Sequence, residues 1–311
     1  MEMPPIMLRE PARLPPLAAL EGLAPEAPAW FSRAVGQIPE REFVDIDGTR
    51  IEMLCWGKVG RPGLLFLHGN GANAEWWRFI APFFAGTHRV AAFSLSGMGL
   101  SSWRPVYSSA DFRAEAMAVA QAARLFDGPS PPIVIGHSLG AAVMVLLLAR
   151  SDQRFAGGVA IDSHVDRAGR QWGLGRATPE TRFSRSSVEL LARYRFVPPQ
   201  PSFHLFITDF IARSSIRYVE GGGWTWKHDP AIVGRFDFED MWLALPELTC
   251  PLMLIRGALS DLTSEEQIQA MRRQAGSGTI AVTIPEAHHH VMVSQPIALI
   301  ATLRTAIANW Q

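Results

Sequence analysis

Five residues, Gly136-His137-Ser138-Leu139-Gly140, place a serine between two glycines. The apolar run Pro132–Ile135 precedes them, and the apolar run Ala141–Leu148 follows. The pattern predicts a strand, a sharp turn and a helix, with Ser138 at the apex. That position lifts a hydroxyl clear of a sheet and aims it at an incoming carbonyl. Gly136 and Gly140 flank it because a side chain at either position would collide with the neighbouring strand and helix. The backbone N–H of Leu139, first in the helix, points where an oxyanion would form. The chemistry implied is nucleophilic attack on a carbonyl.

A serine nucleophile needs a base, and the base needs an acid to orient it. His288-His289-His290 is the base candidate, and one of the three is expected to face Ser138. Adjacent side chains diverge in an extended segment, so the trio is a poor metal site and no metal is expected. Asp261, four residues past Gly257, is the preferred acid, and Asp162 at the end of another strand is the alternative. A second oxyanion donor is expected from the loop His68-Gly69-Asn70-Gly71, through Asn70, with His68 fixing the loop. Trp76, Trp77 and His137 are candidates to wall the substrate pocket. Asn70, Ser96, Ser138, Asp162, Asp261 and His289 all fall at carboxyl ends of expected strands, where ligands bind to open parallel sheets.

The elements that must hold these residues alternate. Arg41–Ile46 and Arg50–Trp56 read as a hairpin about Asp47-Gly48. Strands are expected at Gly63–Leu67, Arg89–Leu95, Ile133–Ile135, Gly157–Ile161, Met253–Ile255 and Thr279–Ile284. Helices are expected at Trp76–Phe84, Asp111–Phe126, after Ser138, at Ser264–Gln274 and at Pro296–Trp310. Such a rhythm implies a mostly parallel sheet with helices on both faces. It stops between residues 163 and 245, which read as an inserted, mainly helical cap. The core is then residues 40–162 and 246–311. Residues 1–39 hold eight prolines and read as an N-terminal arm with a short helix near Ala29–Val35.

Composition narrows the partners. The 311 residues carry 29 basic and 29 acidic side chains, a net charge of zero. That argues against nucleic acid or an anionic membrane as partner and leaves a small-molecule substrate. Cys55 and Cys250 form no metal spacing. The N-terminus shows no signal-peptide pattern, and no apolar run is long enough to span a bilayer. A cytoplasmic location is expected.

These parts together resemble the α/β-hydrolase family. "LHGNGAN" at Leu67–Asn73 is similar to its oxyanion loop, and "SLSGMGLSS" at Ser94–Ser102 to its D-x-x-G-x-G-x-S loop. "EAHHHVMVSQP" at Glu286–Pro296 is similar to its G-x-G-H…P ending, which places the family's histidine on His289. The resemblance implies an α/β-hydrolase fold and the order nucleophile, acid, histidine as Ser138, Asp261, His289. It implies no cofactor. Three departures stand out: Ser94 where the family usually has Asp, Glu286 and His288 where it has glycines, and Ala141 where a second glycine is frequent. A serine nucleophile separates the chain from relatives that use aspartate there.

The expected reaction is hydrolysis of an ester or ester-like carbonyl through an acyl-enzyme. Cleavage of a C–C bond beside a ketone, or ligand binding without catalysis, are the alternatives. Cap residues Trp172, Phe183, Phe203, Phe206, Trp224, Trp226 and Trp242 suggest an apolar or aromatic substrate.

Overall fold

A computed structural model of the chain describes residues 15–163, 180–232, 236–237 and 239–310. Trp172 lies outside the described residues. The strands are β1 (Glu40–Ile46), β2 (Thr49–Trp56), β3 (Gly63–Leu67), β4 (Arg89–Phe93), β5 (Tyr107–Ser108), β6 (Ile133–His137), β7 (Gly157–Ile161), β8 (Ile216–Val219), β9 (Gly223–Trp226), β10 (Phe236–Asp237), β11 (Leu252–Gly257) and β12 (Ile280–Ile284). The helices are α1 (Ala29–Val35), α2 (Ser109–Ala122), α3 (Leu139–Arg150), α4 (Ser187–Leu191), α5 (Leu205–Ser214), α6 (Met241–Ala244), α7 (Glu265–Ala275), α8 (Val291–Ser294) and α9 (Pro296–Trp310).

Eight strands form one sheet in the order β1-β2-β4-β3-β6-β7-β11-β12. β1 and β2 pair antiparallel, as do β2 and β4, and every other pairing is parallel. The central strands are buried along their whole length, so both faces are apolar. Alternation then sends neighbours to opposite sides. Leu64 and Phe66 of β3 join one core cluster with Trp77, Phe79 and Leu299. Leu65 and Leu67 join the other with Phe112, Val143 and Met271. Each such side chain contributes about 1.5–3 kcal/mol by leaving water.

From β3 the chain steps to β4 on one side and returns to β6 on the other. The order of the strands reverses here, and the loops after β3 and β6 diverge to leave a crevice. The oxyanion-loop candidate and Ser138 stand on its two sides.

Two expected helices differ in detail. Trp76–Phe84 is two short 3₁₀ turns, Ala74–Trp77 and Ala81–Phe83. Pro82 lacks the N–H that a continuous helix would need. α2 stops at Ala122 because Arg124 takes a left-handed conformation, with φ 60°. α7 starts as read, with Ser264 and Gln267 forming a reciprocal capping box.

The described part of the inserted segment contains helices α4, α5 and α6 and the β8–β9 hairpin. It shares a core with the N-terminal arm. Phe31 of α1 meets Phe206 and Phe210 of α5 at 4.9 and 5.7 Å, and Phe79 of the core at 5.7 Å. Arg213 of α5 donates to the Gly22 carbonyl at 2.8 Å. α1 and Gly22 therefore contact both α5 and the segment carrying Phe79. Among the described residues, no helix is long and apolar enough to cross a membrane.

Candidate active site

Ser138 leaves β6 with φ 52° and ψ −119°, a strained conformation for a residue with a side chain. The strain lies at a site held from both sides. A Cβ on Gly136 would strike the Gly140 carbonyl, and one on Gly140 would come within 2.6 Å of the Leu67 and His68 carbonyls. The Ser138 N–H bonds to Ile161 O of β7 at 3.0 Å. The first N–H groups of α3 have no intrahelical acceptor, so the Leu139 N–H stands at a helix start beside Ser138. On the other side of the crevice, a Cβ built on Gly69 would lie 3.2 Å from Ser138 Cβ. The Gly69-Asn70 loop thus runs alongside the serine, and Asn70 itself is half-buried.

The three histidines part company. His289 Nδ1–H donates to Asp162 Oδ2 at 2.7 Å, and both residues are buried. His290 turns to the cap, where its N–H and Nδ1–H both donate to Gln200 Oε1, at 2.9 and 2.8 Å. His288 is partly exposed, with its ring near Phe203. Glu286, at one of the expected glycine positions, takes the left-handed conformation itself, with φ 56°.

The preferred acid is corrected. Asp261 sits on an exposed bend, and the side chain on the histidine belongs to Asp162. Topology explains the exchange. β7 pairs directly with β6, with Ile161 opposite His137, so the next residues, Ser138 and Asp162, emerge side by side. β11, which carries the Asp261 loop, is one strand further away. That loop holds Asp162 instead. Gly257 N–H donates to Asp162 Oδ1 at 2.8 Å, and the Ser260 and Thr263 hydroxyls reach Oδ2 at 2.6 and 3.4 Å. These donors fix which lone pair faces the imidazole.

The pocket candidates also divide. Trp77 is corrected: it is fully buried against Phe66 at 5.0 Å and belongs to the core. Trp76 packs on His290 at 5.4 Å and on Phe196 at 5.9 Å, next to the histidine loop. His137 is buried and donates from Nε2 to the His289 carbonyl at 3.0 Å. Ser96 is enclosed, its N–H on Glu115 and its hydroxyl receiving Arg104. Of the aromatic cap residues, Phe206 meets the arm, Trp226 meets Tyr194 and Trp224 meets Tyr218. Phe183 and Phe203 are exposed, and Trp242 packs at the edge of the second core cluster. Phe196 and Gln200, which sit beside the site, carried no periodic signal in an irregular stretch.

His68 fixes its loop. Its Nδ1–H donates to Gly69 O at 2.7 Å, and its Nε2 accepts the Leu95 N–H at 3.0 Å. Burial pushes its imidazole down to about 4. The unfolded chain takes up this proton near pH 6.5, so folding stability is full above that pH and falls as pH drops toward 4. His68 alone is expected to cost about 2 kcal/mol between pH 7 and pH 5. Urea midpoints across that range check this, and His68→Gln should flatten the slope. An unchanged slope in the variant would contradict it.

Glu52, absent from the sequence reading, replaces the carboxylate missing at Ser94. Its side chain is 1% exposed. Oε2 accepts the Ser94 hydroxyl at 2.8 Å and the Leu100 N–H at 3.0 Å. Ser94 Oγ in turn accepts the Ala74 N–H at 3.0 Å, just beyond the oxyanion-loop candidate. Arg41 bridges Glu52 to Glu75, which also holds Arg78. Glu52→Ala leaves the buried Ser94 hydroxyl and the Leu100 N–H without their acceptor, and is expected to cost about 2 kcal/mol in urea unfolding. A midpoint equal to wild type would contradict that role.

The alpha/beta hydrolase family model matches residues 64–303. The chain belongs to the alpha/beta hydrolase family. This hydrolase is 27% identical over 285 residues to the esterase Rv0045c of Mycobacterium tuberculosis, covering 86% of this chain and 89% of that protein. The solved structure of that esterase superposes with a TM-score of 0.69 at 22% identity, covering 94% and 97% of the two chains. The thioesterase domain from the curacin biosynthetic pathway superposes with a TM-score of 0.70 at 23% identity, covering 86% and 99%. Among the described residues of the hydrolase, no group of three or more His, Cys, Asp or Glu side chains could hold a metal ion.

Proposed function

We propose that this hydrolase cleaves carboxylic esters through an acyl-enzyme on Ser138, with His289 as base and Asp162 as the acid that orients it. The observation that carries the reading is the His289–Asp162 hydrogen bond beside a serine on a strained elbow. In the first step, Ser138 Oγ attacks the ester carbonyl carbon as His289 Nε2 takes its proton. Asp162 keeps Nδ1 protonated and stabilises the imidazolium. The N–H groups of Leu139 and Asn70 receive the oxyanion. The tetrahedral intermediate collapses, the alcohol leaves with the proton from His289, and an acyl-serine remains. Water, deprotonated by His289, then releases the acid and restores the serine.

Similarity to an esterase along most of both chains supports ester chemistry. Trp76 and Phe196, both buried, pack against each other and Trp76 packs on His290 beside the histidine loop; this apolar surrounding supports a small apolar or aromatic acyl group. Purified protein should turn over p-nitrophenyl butyrate and phenylacetate and leave ring-fission diketones intact. Diketone cleavage without ester turnover would replace this reading with C–C hydrolysis.

A further inference from the structure

We propose that His137, which has no part in the proton transfers above, is a positioning residue that sets His289 and the oxyanion loop around Ser138. This rests on the serine-hydrolase reading. The imidazole lies between the two parts of the machinery that come from distant places in the chain. On one side its Nε2–H donates to the main-chain carbonyl of His289 at 3.0 Å. The two rings are 4.8 Å apart. On the other side it fills the space beside Gly69, where a Cβ would come within 2.8 Å of His137 Nδ1. His137 is 2% exposed and immediately precedes Ser138, so its own backbone is fixed by the elbow. One rigid ring therefore references both the base and the oxyanion loop to the nucleophile.

The ring suits this task because it stays neutral. Burial first, and the neighbouring His289 second, push its pKa well below the ordinary histidine value. A neutral ring with Nε2 protonated donates to the carbonyl without setting a second cation beside the imidazolium that forms on His289. His290, 5.5 Å from His137 and also held neutral by burial, adds no charge on that flank. An error of about 1 Å in such a reference costs on the order of 100-fold in rate.

The test separates the hydrogen bond from the volume. His137→Phe keeps a ring and loses the donor, whereas His137→Gln keeps a donor at similar reach. With kcat normalised to fluorophosphonate-titrated sites, His137→Phe should lose roughly 30–100-fold in kcat on p-nitrophenyl butyrate. Its KM should move by less than about threefold, because uniform substrate binding is not what is lost. His137→Gln should recover at least about tenfold of that kcat. Equal rates in the two variants, or a kcat for His137→Phe within about threefold of wild type, would overturn the proposal. If His137→Phe does not fold, His137→Leu carries the same expectation against His137→Gln. Ser138→Ala, run alongside, keeps the two readings apart. Wild-type turnover in that variant would sink the serine mechanism itself, whatever His137 does.

Discussion

Replacing Ser138 by alanine should lower kcat on a p-nitrophenyl ester by about 10⁵–10⁶-fold, the scale seen when a serine protease loses its nucleophile. The size follows from the division of labour. On the proposed mechanism Ser138 supplies the atom that becomes covalently bound. The oxyanion donors and the bound geometry survive the change, so some rate above water should persist. Fold should survive too, because the side chain lost is small and the Ser138 N–H keeps its bond to Ile161. Steady-state kinetics on purified protein, with a far-UV spectrum as the folding control, checks this. Wild-type turnover in the variant would mean that the elbow is not the reacting group.

The second large effect distinguishes two aspartates. Asp162→Asn should cost on the order of 10⁴-fold in kcat, because an amide at this position can hold His289 in the wrong tautomer. An amide nitrogen facing Nδ1 donates where it should accept, which leaves the proton on Nε2 and removes the base. Asp261→Asn should stay within about twofold of wild type, since an exposed side chain on a bend touches neither Ser138 nor His289. The pair of kinetic measurements decides the acid. A collapse in Asp261→Asn with Asp162→Asn near wild type would reverse the assignment.

The aspartate that bonds His289 is Asp162 and not the Asp261 that the sequence favours. Asp162 directly follows β7 and Asp261 lies on the loop four residues past β11, and both fit the order nucleophile, acid, histidine, so sequence position alone does not separate them. What decides between them is strand order. β7 adjoins β6, and that adjacency is a long-range fact no local pattern encodes. The elbow was legible because its requirements are local: an apolar strand, two glycines and an apolar helix within the seventeen residues Pro132–Leu148. Similar locality made α1, the hairpin and the closing helix readable. Glu52 was invisible for the opposite reason. It stands 42 residues before Ser94, on a strand where the pattern calls for an apolar side chain, and only the folded sheet brings the two together. Trp77 and Trp76 are adjacent, and sequence alone does not tell their roles apart. The 3₁₀ turn sends one into the core and the other toward His290. The cap was the least legible part, since Phe196 and Gln200 reach the histidine loop from a stretch without period.

The most direct measurement is to find where a fluorophosphonate probe attaches. Intact-mass and peptide mass spectrometry of the labelled protein should give one adduct, on Ser138. The label should be absent in Ser138→Ala and slowed by at least about 1,000-fold in His289→Ala, because the probe reads the activated oxygen alone. No adduct on the native protein, or one on another residue, would contradict the account.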